Sequence, residues 1–339
     1  MTRVGEPVFV GPIEPPALPA VVTRPVDPPP RGYHYVSSGR RALRLLVRSL
    51  GLRRGARVAV PALVCNVVVR SLEAEGLHPE FVDIELDHYF MRFDRDEFAR
   101  RRFDLILLPH HYGVPHPQTA ELTDFAREEG VPLVHDAAQS CGLTWRGRPV
   151  IEHGQGGFYS FGAGKASTAA AGALVFGLTE EVVARHRLRS LRRRSCYASQ
   201  FLRHRAGLSS LPGYERLETP SFRASRLQVQ AAQHVVEHLP AYDTTRRANL
   251  AVLNDLLEKD LYMDCGERAS PYKWVGRALY PHPALREHPF VPQHRVPRPD
   301  RPGALPNYRS IVDELIEVST ERDLSGFRRL NRRRRIAYR

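Results

Sequence analysis

The chain has 339 residues, enough for a large buried core, and its ordinary aliphatic and aromatic content excludes wholesale disorder. The net charge of +13 invites a nucleic-acid reading. The basic residues are spread along the whole chain, however, so we weigh a compositional arginine bias ahead of nucleic-acid binding, with a basic surface for a small phosphorylated substrate between the two. Four unpaired-looking cysteines, Cys65, Cys141, Cys196 and Cys265, without any CxxC, argue against a disulfide scaffold or a zinc site. No metal is expected. No apolar run approaches the roughly 18 residues of a membrane span and no leader opens the chain, so a cytoplasmic protein is expected.

Residues 7 to 30 hold nine prolines, which excludes helix and predicts an extended arm over 1–32. Beyond it, Ala42, Leu43, Leu46, Val47 and Leu50 recur at helical spacing and Gly51 is the stop. Ser37, Ser38 and Gly39 precede that helix, and a small-residue turn at a helix start offers backbone N–H groups to an anion. The same residues also read as an ordinary cap.

A buried strand follows at Val58 to Leu63, then a helix through Leu72 ended by Gly76. Further strands are expected at Phe81 to Ile84, at Leu105 to Pro109 and in VPLVHDA, residues 131–137, the last preceded by the helix TAELTDFAREEG, residues 119–130. Another strand is expected at Ala173 to Phe176. Strands alternating with helices predict an α/β fold: a mostly parallel central sheet flanked by helices, over residues 33–240. Ligands collect at the carboxyl ends of such strands, where His110 and Asp136 fall. His110 reads equally as a hydrogen-bonded structural residue or as a ligand contact, and with Tyr112 it is a candidate substrate contact.

The basic run Arg185 to Arg205 reads as a solvated helical face. A long amphipathic helix with Leu227, Ala231, Val235 and Leu239 is expected to stop at Pro240, followed by a second helix with Leu250, Leu253 and Leu257. Residues 241–339 are expected to form a small, shortened α+β C-terminal domain.

The chemistry concentrates between Val134 and Lys165, where the chain carries Asp136, Gln139, Ser160 and Lys165. Only three of the 50 basic residues are lysines: Lys165, Lys259 and Lys273. Arginine cannot replace lysine in Schiff-base chemistry, so a retained lysine here carries weight. A carboxylate at a strand end beside a heterocyclic nitrogen would keep that nitrogen protonated. With a lysine reaching the same ring, these are the parts of a pyridoxal phosphate site.

The ordered blocks SGRRAL, PALVCN, FVDIE, PHHYG, HDAAQSCG, the Ser160–Phe161–Lys165 spacing, PSFRAS and RLQVQAA resemble those of the DegT/DnrJ/EryC1/StrS family of sugar aminotransferases, with a fainter match at LIEVST. The HDAAQSCG block stands where the family writes EDAAQA-G. The resemblance implies the aspartate aminotransferase-like (type I) fold and pyridoxal 5'-phosphate, with an amino-acid donor and a keto-sugar or cyclitol as substrates. Lys165 would form the Schiff base, Asp136 would meet the pyridine nitrogen and Gln139 the ring's phenolic oxygen. Ser160 and the backbone at Gly39 and Arg40 would hold the phosphate. Arg223 would reach a partner subunit's site, which implies a homodimer. Four departures stand out: Arg40 replaces a hydroxyl residue, Cys65 an aromatic that often stacks on the ring, Val64 a threonine, and Ser221 an asparagine. Rival readings are a non-transaminating enzyme on a keto-sugar and a non-catalytic family member. Lys165 weighs against the dehydratase branch, where that lysine is a histidine.

Overall fold

All five expected strands join one sheet, and two that the sequence hides complete it. The computed structural model describes residues 25–162, 165, 172–190, 223–256, 273–277, 305–311 and 315–319. The strands are β1 (Tyr33–Val36), β2 (Arg57–Pro61), β3 (His78–Val82), β4 (Leu105–Pro109), β5 (Leu133–Ala137), β8 (Gly156–Ser160) and β9 (Ala173–Phe176), with a small hairpin, β6 (Thr144–Trp145) and β7 (Arg148–Pro149), between β5 and β8. Their order across the sheet is β1-β9-β8-β5-β4-β2-β3. Strands β3, β2, β4, β5 and β8 are parallel neighbours, and β9 runs against both β8 and β1. Crossovers between parallel strands need a connecting element, and here helices supply it.

Helix α1 (Gly39–Leu50) forms where the apolar spacing places it. The Ser38 side chain accepts from the Arg41 N–H, and Gly51 at φ 63° closes the last turn with its N–H on the Arg48 carbonyl. Its buried face carries Ala42, Leu43, Leu45, Leu46 and Val47, each large side chain contributing about 1.5–3 kcal/mol of burial. The other helices of the sheet domain are α2 (Asn66–Glu73), α3 (Arg95–Arg101), α4 (Thr119–Glu128) and α5 (Glu180–Ser190).

Alternation along the strands sorts residues onto two faces. Leu105, Leu107, Val134 and Phe158 pack with α1 on one face, while Ile106, Leu108 and Leu133 pack with Phe98, Leu122 and Phe125 on the other. A third cluster joins Ala137, Tyr159, Phe161 and Leu174 to Ala231, Ala232 and Val235 of α6 (Arg226–Leu256).

That last helix corrects an expectation. It runs through Pro240 for 31 residues in place of stopping there. Val236, whose carbonyl loses its partner at the proline, is 40% exposed, and Pro240 is exposed too, so water can satisfy the freed group. The expected division between 33–240 and 241–339 therefore falls inside a helix.

Of the C-terminal part, the described pieces are the antiparallel pair β10 (Lys273–Arg277) and β11 (Leu315–Ser319) and the short helix α7 (Pro306–Ile311). Leu305, Tyr308 and Ile311 are buried in the same cluster as α1. Asp83, at the end of β3, accepts from the backbone N–H groups of Asn307 at 3.0 Å and Tyr308 at 2.9 Å. The Asn307 side chain returns a bond to the Ile84 carbonyl at 2.8 Å. Most of the proline arm, most of the basic run Arg185 to Arg205, and Cys196, Ser221, Leu257, Lys259 and Cys265 lie outside the described residues. The arm's end is described: the Asp27 carbonyl accepts from the Gln233 side chain at 2.8 Å.

Candidate active site

Register decides which side chains share a face. Asp136 lies directly opposite Phe158 in the parallel β5–β8 pair, so Ser160, two residues on, points to the same side. That side is the one covered by α1. A Cβ built on Gly39 would stand 3.1 Å from both Cβ and Oγ of Ser160 and 3.4 Å from the Phe158 ring. The first turn of α1 thus rests against the end of β8 as closely as a residue without a side chain allows. It presents the positive end of a helix with no acidic residue in its first turn and with Arg40 and Arg41 there. This cradle fits a phosphate.

Asp136 is 7% exposed, and its Oδ1 accepts from the Ala138 N–H at 3.0 Å, closing the turn that carries Gln139. Gln139 Oε1 accepts from the Tyr112 N–H at 3.0 Å. Tyr112 takes φ 60°, a backbone conformation uncommon for a side chain of its size, and packs with Ala138 in the cluster beneath α1. Cys65 packs against that same cluster, at the start of α2. Lys165 follows β8 by a turn, its N–H on the Gly162 carbonyl at 3.1 Å. Half-buried, it sits five residues from Ser160.

His110 is not on this side. By the same register it follows Pro109, the partner of Asp136, and so faces away with His135. Its ring nitrogens both engage the protein: Nε2 meets His135 Nδ1 at 2.9 Å and Nδ1 accepts from the His116 N–H at 3.0 Å. This agrees with its hydrogen-bonded structural reading, with both ring nitrogens turned to the protein. Burial pushes His110 well below the ordinary histidine value and takes His116 and His135 down to about 3, so all three rings are neutral. Burial likewise pushes the Cys141 thiol up to about 12, which makes it an inert core residue.

Arg223 is exposed, and its backbone bridges to Val36, three residues before Gly39. The helix that follows it braces the cradle. Ser225 Oγ accepts from the Gln228 N–H at 3.3 Å, and Gln228 Oε1 accepts from the Ser225 N–H at 2.8 Å, a reciprocal cap. Gln228 Nε2, 1% exposed, donates to the Ser37 carbonyl at 3.2 Å. Sequence reasoning passed over Gln228, although S-x-x-Q at 225–228 is the written signature of that cap. No group of three or more metal-ligating side chains gathers among the described residues.

An acid, an amide and a hydroxyl at the carboxyl ends of a seven-stranded sheet with one strand reversed, a helix N-terminus closed onto the hydroxyl and a lysine one turn beyond it, define the class: an enzyme of the aspartate aminotransferase-like, type I fold. A model of the DegT/DnrJ/EryC1/StrS aminotransferase family matches residues 34–271, and the chain belongs to that family. Among similar solved structures, DesV of S. venezuelae in complex with a ketimine intermediate is 23% identical, with a TM-score of 0.66 over 88% of this chain and 83% of that one. Spr1654 of Streptococcus pneumoniae, in its PMP form, is 15% identical, with a TM-score of 0.66 over 96% of each chain. A GDP-4-keto-6-deoxymannose-3-dehydratase (ColD) mutant with bound GDP-perosamine is 18% identical, with a TM-score of 0.61 over 88% and 87%.

Proposed function

We propose that this enzyme uses pyridoxal 5'-phosphate to move an amino group from glutamate or glutamine to the keto group of a sugar, nucleotide-linked, or of a cyclitol. The observation that carries the reading is the placement of Asp136 and Ser160 on one face, with the N-terminus of α1 closed onto Ser160 and Lys165 one turn beyond. When bound, the cofactor supplies an aldehyde and an electron-withdrawing ring. The chain supplies the rest. The first turn of α1, Ser160 and Arg40 would hold the phosphate, the arginine in place of a hydroxyl. Asp136, buried and braced by Ala138, would hold the proton on the ring nitrogen. Gln139 would meet the ring oxygen, and Cys65 and Tyr112 would line the approach.

Lys165 would hold the cofactor's aldehyde end and move a proton at its Nζ, a role open to an amine and closed to a guanidinium. Its retention favours amino transfer over dehydration. Arg223 belongs to the same proposal as a residue offered to a second copy of the chain in a homodimer, supported by its exposure beside Val36. Among the described residues Cys65 and Cys141 are not joined in a disulfide, which agrees with a cytoplasmic setting, and no helix among them is long and apolar enough to cross a membrane. The test is to add pyridoxal 5'-phosphate to the purified chain. A visible absorption band is expected, bleached by glutamate or glutamine as the cofactor passes to its amine form, and absent in Lys165→Ala. A chain that takes up no cofactor overturns the reading.

A further inference from the structure

Behind Asp136, on the far side of the sheet, three buried histidines are joined in a single direction. The Gln118 N–H donates to His116 Nδ1 at 3.1 Å, which assigns the His116 proton to Nε2, facing the Met91 carbonyl at 2.9 Å. The His116 N–H donates to His110 Nδ1 at 3.0 Å, so the His110 proton is assigned to Nε2 and is given to His135 Nδ1 at 2.9 Å. The two rings lie within 10° of one plane. His135 must then carry its own proton on Nε2, an atom buried with no hydrogen-bond partner among the described residues. A protonated His110 would set a second donor against the His116 N–H, so the arrangement requires the neutral ring.

The same residue grips the site through its backbone. The His110 N–H donates to the Asp136 carbonyl at 2.9 Å, and the His110 carbonyl accepts from Ser140 Oγ at 2.7 Å. His110 therefore holds the turn bearing Asp136 and Gln139 at both ends, and its ring is fixed by its neighbours. Position 135 is glutamate in the family's EDAAQA-G block and histidine here. A carboxylate facing His110 would favour the charged ring; an imidazole nitrogen accepts one proton from a neutral one.

We propose that His110 and His135 are positioning residues: a neutral, one-way hydrogen-bond relay that fixes the Asp136–Gln139 turn against the cofactor ring. The proposal rests on the pyridoxal phosphate reading. His135→Asn places an oxygen where Nδ1 accepts and removes the orphaned Nε2–H, whereas His135→Leu leaves the His110 Nε2–H without an acceptor. Titration with pyridoxal 5'-phosphate is expected to show His135→Asn close to the unaltered chain and His135→Leu about tenfold weaker, at matched circular dichroism. Equal binding by His135→Leu, or His135→Asn as weak as His135→Leu, overturns the relay.

Nitrogen-15 spectra of the unaltered full chain give a second readout that needs no variant to fold. They should show His110 and His116 neutral, with the proton on Nε2; a charged His110 at pH 6, or a proton on its Nδ1, also overturns the proposal. If the unaltered chain binds no cofactor, the cofactor reading fails, and the spectra still decide the relay.

Discussion

The carboxylate of Asp83 caps a helix that begins more than two hundred residues later: its Oδ1 accepts from the Tyr308 N–H at 2.9 Å and its Oδ2 from the Asn307 N–H at 3.0 Å. One side chain at the end of β3 thus satisfies two first-turn donors of α7 and seats Tyr308 and Ile311 in the core beneath α1. Asp83→Ala removes both acceptors and leaves the two N–H groups in a buried junction. We expect a loss of about 1–3 kcal/mol, read by urea denaturation, and faster amide exchange confined to 305–311. Asp83→Asn, which keeps one acceptor oxygen, should lose about half as much. Unchanged exchange in α7 would count against the capping role.

Gly39 offers a test of the cradle by size alone. Its φ is not in the left-handed region, so an alanine there meets no backbone penalty, only the 3.1 Å approach to Ser160. Gly39→Ala should push α1 from the end of β8 and weaken pyridoxal 5'-phosphate binding by roughly three- to tenfold, with little change in Tm. Adding Ser160→Gly restores the space and removes the hydroxyl. The double variant should therefore fold like the parent and bind no better than Gly39→Ala. Full recovery of affinity would show that Ser160 gives the phosphate nothing.

Much of this architecture was legible because helical stops and buried runs are written locally. Gly51 closes α1 as read, and β4, β5 and β9 occupy buried runs beside their stops. β8 was not legible. It opens with two glycines, and Gly157 is required because a Cβ there would collide with the His135 carbonyl, a fact of sheet packing absent from the residue pattern. Helix α3 buries only Phe98, so it shows no apolar period. The site split the same way. Asp136, Ser160 and Lys165 declared themselves by type and spacing. The side on which His110 lies depends on the Pro109–Asp136 register, which no local pattern carries.

The buried histidines set an acid limit on stability. An unfolded histidine titrates near 6.5, while His116 and His135 fold with values near 3 and His110 with one well below the ordinary value. Above about pH 6.5 both states are neutral and stability does not depend on these groups. Below it the unfolded chain takes up protons that the folded chain refuses, so stability falls as pH drops toward 3, by up to roughly 1 kcal/mol per pH unit for each ring. His111 and His153 face His110, and His88 faces His116, all adding repulsion in the same direction. Glu80, held low first by its hydrogen bond to Arg57, against the effect of burial, adds a loss of its own only below its unfolded value near 4.5. Denaturation at pH 7.5, 6.5 and 5.5 should show a plateau and then a decline, and His135→Asn should flatten the decline. A level profile down to pH 5 would contradict the assignment of neutral buried rings.

Pro240 separates two demands on α6. A proline inside a helix removes one hydrogen bond and crowds the carbonyl four residues back, and here that carbonyl belongs to exposed Val236. If the helix merely tolerates the residue, Pro240→Ala restores the bond and raises stability by about 1–3 kcal/mol, with a Tm higher by roughly 2–4 °C. The proline has a second candidate use, since α6 must lay Leu239 against Gly142, where Leu239 Cδ1 stands 2.6 Å from the place a Cβ would take, and must also bury Arg246 completely beside Asp243 at 2.9 Å. Both contacts lie within six residues of the proline, and the first fixes the helix to the turn after Asp136. A straighter helix would carry Leu239 and Arg246 off line together. We expect tolerance to dominate, because Pro240 and Val236 face water while Leu239 and Arg246 face the core. A fall in Tm for Pro240→Ala, recovered by Leu239→Ala, would instead assign Pro240 to the seating of α6 on the active-site turn.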